Sequence, residues 1–158
     1  MIHLSLGLSI LLAISPFISN LAVAAESSPP CPVTIANGST PPGERPSRNH
    51  HGNGALWTVL WDEGTVVFGN RAGFDLEDGS LKMKFPFWRA VKGLLTLEGR
   101  NIHEPDQGLR ASIPDGYGDT GFQATGLIFA DVGCWEVTAR AGNASLTFVT
   151  RVVNLQRE

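Results

Sequence analysis

Four groups of residues in this chain carry side chains capable of chemistry. Asp115 and Asp119 stand four apart in Pro-Asp-Gly-Tyr-Gly-Asp, and Asp75, Glu77 and Asp78 form a second acidic group. Two carboxyls facing each other across a sugar, roughly 5–10 Å apart, would suit a glycosidase. Several converging oxygens would suit calcium. An Asp flanked by Gly is also ordinary turn vocabulary, because its side chain bonds the backbone two residues on. Turn chemistry is therefore the expected role of these carboxylates. His50 and His51, with Glu44 nearby and His103 further on, invite a metal. A soft copper site in a β-domain would need a late Cys-x-His-x-Met, and after Cys134 there is neither His nor Met. These histidines are expected to be exposed loop residues. No Gly-x-Ser-x-Gly elbow, phosphate loop or zinc spacing is present. No catalytic residue, metal or cofactor is implied.

Two further groups are more informative. Cys31 and Cys134 are the two cysteines of the chain, and an even pair in an exported protein is usually oxidised. Such a bond would staple the N-terminal arm to a late strand. Closing a loop of about a hundred residues would stabilise by ~4–5 kcal/mol in the chain-entropy model. The aromatics are the other group. Trp135 falls on the apolar face of its strand, and Trp57 and Trp61 share a parity, so all three are expected in the core. Trp88 follows Pro86-Phe87 in an apparent inter-strand loop and abuts Arg89. An exposed ring there, with Arg89 and Tyr117, would suit a sugar or a peptide; a hydrophobic plug closing one end of the fold is the other role open to Trp88. Asn37-Gly-Ser39 and Asn143-Ala-Ser145 match the glycan-acceptor pattern, but both are expected to be turn asparagines.

The elements that must position these residues are short strands. Cys134 to Ala141 and Leu146 to Val153 alternate apolar and polar residues about a tight Gly142-Asn143 turn, the period of a half-buried antiparallel sheet. Trp135, Val137 and Ala139 share one face. Cys134, Glu136 and Thr138 share the other. Further strands are expected at Cys31–Ala36, Leu56–Leu60, Thr65–Phe68, Leu81–Phe85, Gly93–Glu98, Leu109–Ile113 and Phe122–Phe129. Leu56–Leu60 and Thr65–Phe68 should form a hairpin across Trp61-Asp-Glu-Gly64. Eighteen Gly and ten Pro supply the turns between them. That many strands would leave an apolar face uncovered in one open sheet, so a β-sandwich of about seven to nine strands is expected.

Ile2 to Ala25 contains no Asp, Glu, Lys or Arg. An apolar stretch, Leu4 to Ile14, precedes Ser15-Pro16 and the small residues Ala22-Val23-Ala24-Ala25, the order of a secretory signal peptide cut after Ala24 or Ala25. The first three residues lack the usual Lys or Arg. The run is also long enough to stay as an uncleaved anchor; Pro16 and the small-residue tail favour cleavage. Ser28-Pro29-Pro30 before Cys31 is no lipid-attachment site. The expected organisation is a signal peptide over 1–25, a Pro/Ser/Gly-rich arm with one short strand over 26–54, and a packed domain over 55–158. Twelve basic and fifteen acidic residues, net −3 and without blocks, argue against nucleic acid or an anionic membrane surface as partner. Membrane contact would come only through an uncleaved N-terminal segment.

Asp131-x-Gly133-x-Trp135-x-Val137 resembles the Asp-x-Gly-x-Tyr-x-Cys pattern on the penultimate strand of immunoglobulin-like domains, with Trp in place of the corner Tyr and Val in place of the core Cys. Phe85-Pro-Phe-Trp-Arg89, Pro114 to Gln123 and Gly133-Cys-Trp-Glu-Val-Thr138 are similar to segments of small exported bacterial proteins without an assigned activity. The resemblance implies an all-β, single immunoglobulin-like antiparallel sandwich and export. It brings no catalytic residues. The sequence thus predicts an exported, non-catalytic binding or accessory protein of the cell envelope or extracellular space. Polysaccharide and envelope proteins are its candidate partners. A carbohydrate-binding module using exposed aromatics, and a small hydrolase using Asp115 and Asp119, are the alternatives.

Overall fold

A computed structural model describes residues 29–69 and 73–156; the expected signal peptide lies outside these residues. The described chain is strand and turn, with a single 3-10 turn at Asp62–Gly64 and no α-helix. Twelve strands run in chain order: β1 His50–Gly52, β2 Leu56–Val59, β3 Thr65–Phe68, β4 Phe74–Asp75, β5 Leu81–Lys84, β6 Phe87–Arg89, β7 Thr96–Asn101, β8 Arg110–Ser112, β9 Gly121–Gln123, β10 Gly126–Phe129, β11 Gly133–Ala141 and β12 Ala144–Asn154. They form three four-stranded sheets, ordered β1-β2-β6-β9, β4-β5-β10-β8 and β3-β12-β11-β7. The first two are antiparallel throughout. The third is mixed, because β3 runs parallel to β12.

The first two sheets are halves of one bent sheet. Lys84 faces Gly126 on one side of the bend and Phe87 faces Gln123 on the other, in a single unbroken register. Between them Phe85 N donates to Thr125 O at 3.0 Å. Pro86 is the cause of the break, since it has no N–H to donate to a ladder.

Alternation decides which face is buried. Leu81, Met83, Phe85 and Phe87 point inward from β5–β6, and Leu127 and Phe129 from β10. From β11 come Trp135, Val137, Ala139 and Ala141; from β12 come Leu146, Phe148 and Val152. All belong to one continuous core. Phe85 stacks on Phe148 with ring centroids 5.9 Å apart, tying the bent sheet to the third sheet. The β11–β12 hairpin with its Gly142-Asn143 turn is as expected, and Trp135 is fully buried.

Several expectations are corrected. β2 and β3 do not form a hairpin: β2 pairs with β1 and β6, and β3 with β12. The turn between them does form, with Gly64 N bonded to Trp61 O at 2.9 Å. Thr150 of β12 then donates its hydroxyl to Gly64 O at 2.9 Å, which captures the turn on the third sheet and sends β3 along β12. Cys31–Ala36 is not a strand; Thr34 alone bonds Val149, through N to O at 2.9 Å and through its hydroxyl. The strand of this region is β1, at His50–Gly52. Phe87–Arg89, expected in a loop, is β6 at the middle of its sheet.

Candidate functional site

The disulfide forms as the sequence predicts: Cys31 and Cys134 are bonded with Cα atoms 5.5 Å apart. Cys134 lies on the opposite face of β11 from Trp135, outside the core, so the bond clips the arm onto the back of the third sheet. The pairing is consistent with an oxidising location. Among the described residues, no helix is long and apolar enough to cross a membrane.

The aromatics are arranged differently from expectation. In the register of the first sheet, Gly52, Trp57, Trp88 and Phe122 lie side by side across β1, β2, β6 and β9, all on the outer face. Gly52 has no Cβ because one there would lie 2.0 Å from Trp57 Cδ1. The N-terminal arm covers most of this row. Trp57 Nε1 donates to Ser39 Oγ at 3.0 Å, and Trp88 Nε1 to Glu44 Oε1 at 3.1 Å. Trp88 is only 9 % exposed, so of the two roles open to it in the sequence its ring takes the buried one. His50 packs edge-on against it with centroids 5.8 Å apart. Trp61, expected in the core, is partly exposed and meets Phe85 by its edge.

Arg89 is also buried, at 4 % exposure, facing inward. Nη1 donates to Gly93 O at 2.6 Å and Nη2 to Gly118 O. It forms no ion pair among the described residues. Its work is to hold the 113–120 loop, which places Tyr117 edge-on against Phe122 at 5.9 Å. Phe122 in turn meets Trp88 at 5.4 Å. Of the three predicted binding residues, then, Trp88 and Arg89 support from beneath and Tyr117 is the one that reaches the surface.

The exposed end of the row, Phe122, opens into a groove. It has a volume of about 740 Å³ and follows the outer face of the bend, walled by Phe74, Leu76, Pro86, Pro114, Phe122 and Ala124. Phe74 and Phe122 are 56 % and 45 % exposed. Lys82 and Lys84 project from β5 along the groove. Gly126, opposite Lys84, is why Lys82 can lie across the floor: a Cβ there would come 2.7 Å from Lys82 Cε. Sequence reasoning missed these residues. Strand parity held the signal, since Leu81, Met83 and Phe85 alternate with Lys82, Lys84 and Pro86, and Phe122 opposes the buried Gln123, Thr125, Leu127 and Phe129.

The titratable groups do not assemble. Asp115 and Asp119 are exposed on the 113–120 loop, whose Pro114 carbonyl accepts from Gln123 Nε2 at 3.1 Å. Asp78 accepts from Ser80 Oγ at 2.5 Å, from Ser80 N at 3.0 Å and from Arg110 Nη2 at 2.7 Å. The Ser80 hydroxyl first, then its amide and the Arg110 guanidinium, hold the carboxyl at about 2, so it stays ionised as a turn acceptor. His51, on the face of β1 away from Trp88, is lowered by burial. Glu44 and His50, two of the residues considered for a metal, are both engaged with Trp88. Among the described residues no three His, Cys, Asp or Glu converge as a metal would require.

Comparison with family models, with curated proteins and with solved structures found no match to this chain.

Proposed function

We propose that this is an exported, non-catalytic binding or accessory protein with an immunoglobulin-like β-sandwich, acting through the groove on the outer face of its bent sheet. The observation that carries the reading is the groove itself. At about 740 Å³ it lies within the size range of ligand sites, and it combines apolar walls with two cations placed by strand register. The disulfide supports export. The β11 corner supports the immunoglobulin-like assignment: Trp135 Nε1 donates to Asp131 O at 3.1 Å, a backbone tie of the kind a corner tyrosine makes in that family.

The residues expected from the sequence to bind are regrouped rather than discarded. Tyr117 belongs at the groove's margin through Phe122, while Trp88 and Arg89 hold that margin in place. Titration of the isotopically labelled protein with envelope-derived amphiphiles, peptides and polysaccharides tests the reading. Amide shifts centred on residues 82–86 and 122–126 are expected. Binding that shifts only other regions would refute the groove as the site, and no binding at all would leave a structural role.

A further inference from the structure

We propose that the groove holds a single-chain amphiphile with a carboxylate head, a long-chain fatty acid, lying along β5 with its head on Lys82 and Lys84. This rests on the groove being the binding site and names its ligand class.

The shape is that of a track. Phe74 stands beside Lys82, and Phe122 beside Trp88, six positions further along the β5–β6 strand. At a rise of about 3.3 Å per residue the two exposed rings are about 20 Å apart along the strand before the bend shortens the path. Pro86, Pro114 and Ala124 line the stretch between them.

The polar inventory separates the classes of ligand. Five lining residues carry polar side chains: Asp75, Lys82, Lys84, Ser112 and Thr125. The Thr125 hydroxyl is committed to Phe85 O at 2.6 Å, and Asp75 Oδ1 accepts from Asn154 Nδ2 at 3.3 Å. As donors, two ammonium groups and the Ser112 hydroxyl remain to meet a ligand, while the Asp75 carboxylate adds one anion to the lining. A sugar carries hydroxyls all round, and each one desolvated without a partner costs free energy. A peptide has the same difficulty with its backbone. β10 is paired on both edges, by β5 and β8, and β5 by β10 and, at Leu81 and Lys82, by β4. The lining strands that stand at a sheet edge, β4, β8 and β9, have two or three residues each and offer a peptide strand only a short ladder. An acyl chain needs no hydrogen bonds, and its head is a single anion.

Charge completes the fit. Lys82 and Lys84 share the outer face, and neither forms an ion pair among the described residues. Arg110, a further cation of this face, is already held by Asp78 at 2.7 Å. A lysine stem can lie along apolar surface with its ammonium group free, so two lysines two apart on one strand face can both reach one carboxylate.

The test is titration of the full chain with palmitate and with its methyl ester, followed by calorimetry and by amide shifts. One palmitate per chain is expected, with the ester at least about tenfold weaker, since losing a charge-assisted bond costs roughly that factor. Lys82→Gln/Lys84→Gln should weaken palmitate to a similar degree. Gly126→Val, whose Cβ would come 2.7 Å from Cε of the flexible Lys82 side chain, should obstruct the groove and weaken palmitate, with the thermal transition measured beside it as the control for folding. Equal binding of the ester, or palmitate affinity unchanged in these variants, would overturn the proposal. So would failure of palmitate alongside groove shifts caused by an oligouronide, an acidic peptide or anionic phospholipid vesicles; the groove would then stand as the site and the fatty-acid assignment would fall. If no probe shifts the groove, both fall together.

Discussion

Phe85 and Thr125 face each other at the point where the long sheet bends, and they are joined twice. Phe85 N donates to Thr125 O at 3.0 Å, and the Thr125 hydroxyl donates to Phe85 O at 2.6 Å. Without the hydroxyl the Phe85 carbonyl would lose this bond at a buried position. The second bond therefore holds the bend that gives the outer face its groove while Phe85 packs inward on Phe148.

Thr125→Val keeps the shape of the side chain and removes the donor. Leaving a buried carbonyl unpartnered costs about 1–3 kcal/mol, so chemical denaturation should show a loss in that range. Thr125→Ser should recover most of it. Equal stability of Val and Ser variants would show that the hydroxyl does not hold the bend.

Much of this fold is legible in the sequence where a face alternates. The β11–β12 hairpin, the burial of Trp135 and the outward placement of Cys134 all follow from period two. Three features escape it for physical reasons. β6 is hidden because Pro86 and a run of large residues mask its alternation: Phe87 is buried in the core, Trp88 under the arm and Arg89 against loop carbonyls. The parallel course of β3 depends on Thr150 reaching Gly64, a contact across 86 positions that no local pattern encodes. The burial of Trp88, one of the two roles the sequence leaves open to it, depends on the Ser39-to-Glu44 segment, which looks unstructured in isolation. Lys82, Lys84 and Phe122 were readable by parity, yet an exposed Phe or Lys attracts no notice until its neighbours form a concavity.

Reduction of the Cys31–Cys134 bond removes the covalent tie of an arm otherwise held by hydrogen bonds and by the packing of Ala36 on the core. The bond spans 103 positions, and the chain-entropy model assigns such a loop ~4–5 kcal/mol. Cys31→Ser/Cys134→Ser should lower the thermal midpoint strongly, and Trp88 fluorescence should shift toward that of a wet indole as Glu44 leaves. A double mutant with unchanged midpoint and emission would show that the arm stays docked on its own.

Acid should act in two windows. His51 has its folded pKa below the usual 6.5 through burial, so the folded state resists protonation and stability falls as pH drops below about 6.5. Asp78 has its folded pKa at about 2 against an ordinary 3.8, so its contribution is complete above 3.8 and is lost as pH falls toward 2. His51→Gln should flatten the upper window and Asp78→Asn the lower one in denaturation curves measured from pH 7 to 2. A variant that leaves its window unchanged removes that residue from the account.

Arg89 offers the sharpest separation between holding a loop and holding the fold. Its guanidinium is buried against two carbonyls, Gly93 O and Gly118 O, while Nε has no partner. Losing hydrogen bonds from a charged donor costs about 1.5–3 kcal/mol each. Removing a buried charge that lacks a counter-ion returns part of that, because its desolvation is no longer borne. For Arg89→Met, which keeps the apolar stem, the two effects largely offset, so the midpoint should move only a few degrees. The loop should respond much more. Without the Gly118 tie, Tyr117 loses its fixed place against Phe122, and amide exchange over residues 116–120 should accelerate by at least tenfold while β11 and β12 stay protected. Exchange that rises equally in the loop and in β11 would mean that Arg89 supports the core instead, and the groove's margin would then owe its position to Phe122 and Trp88 alone.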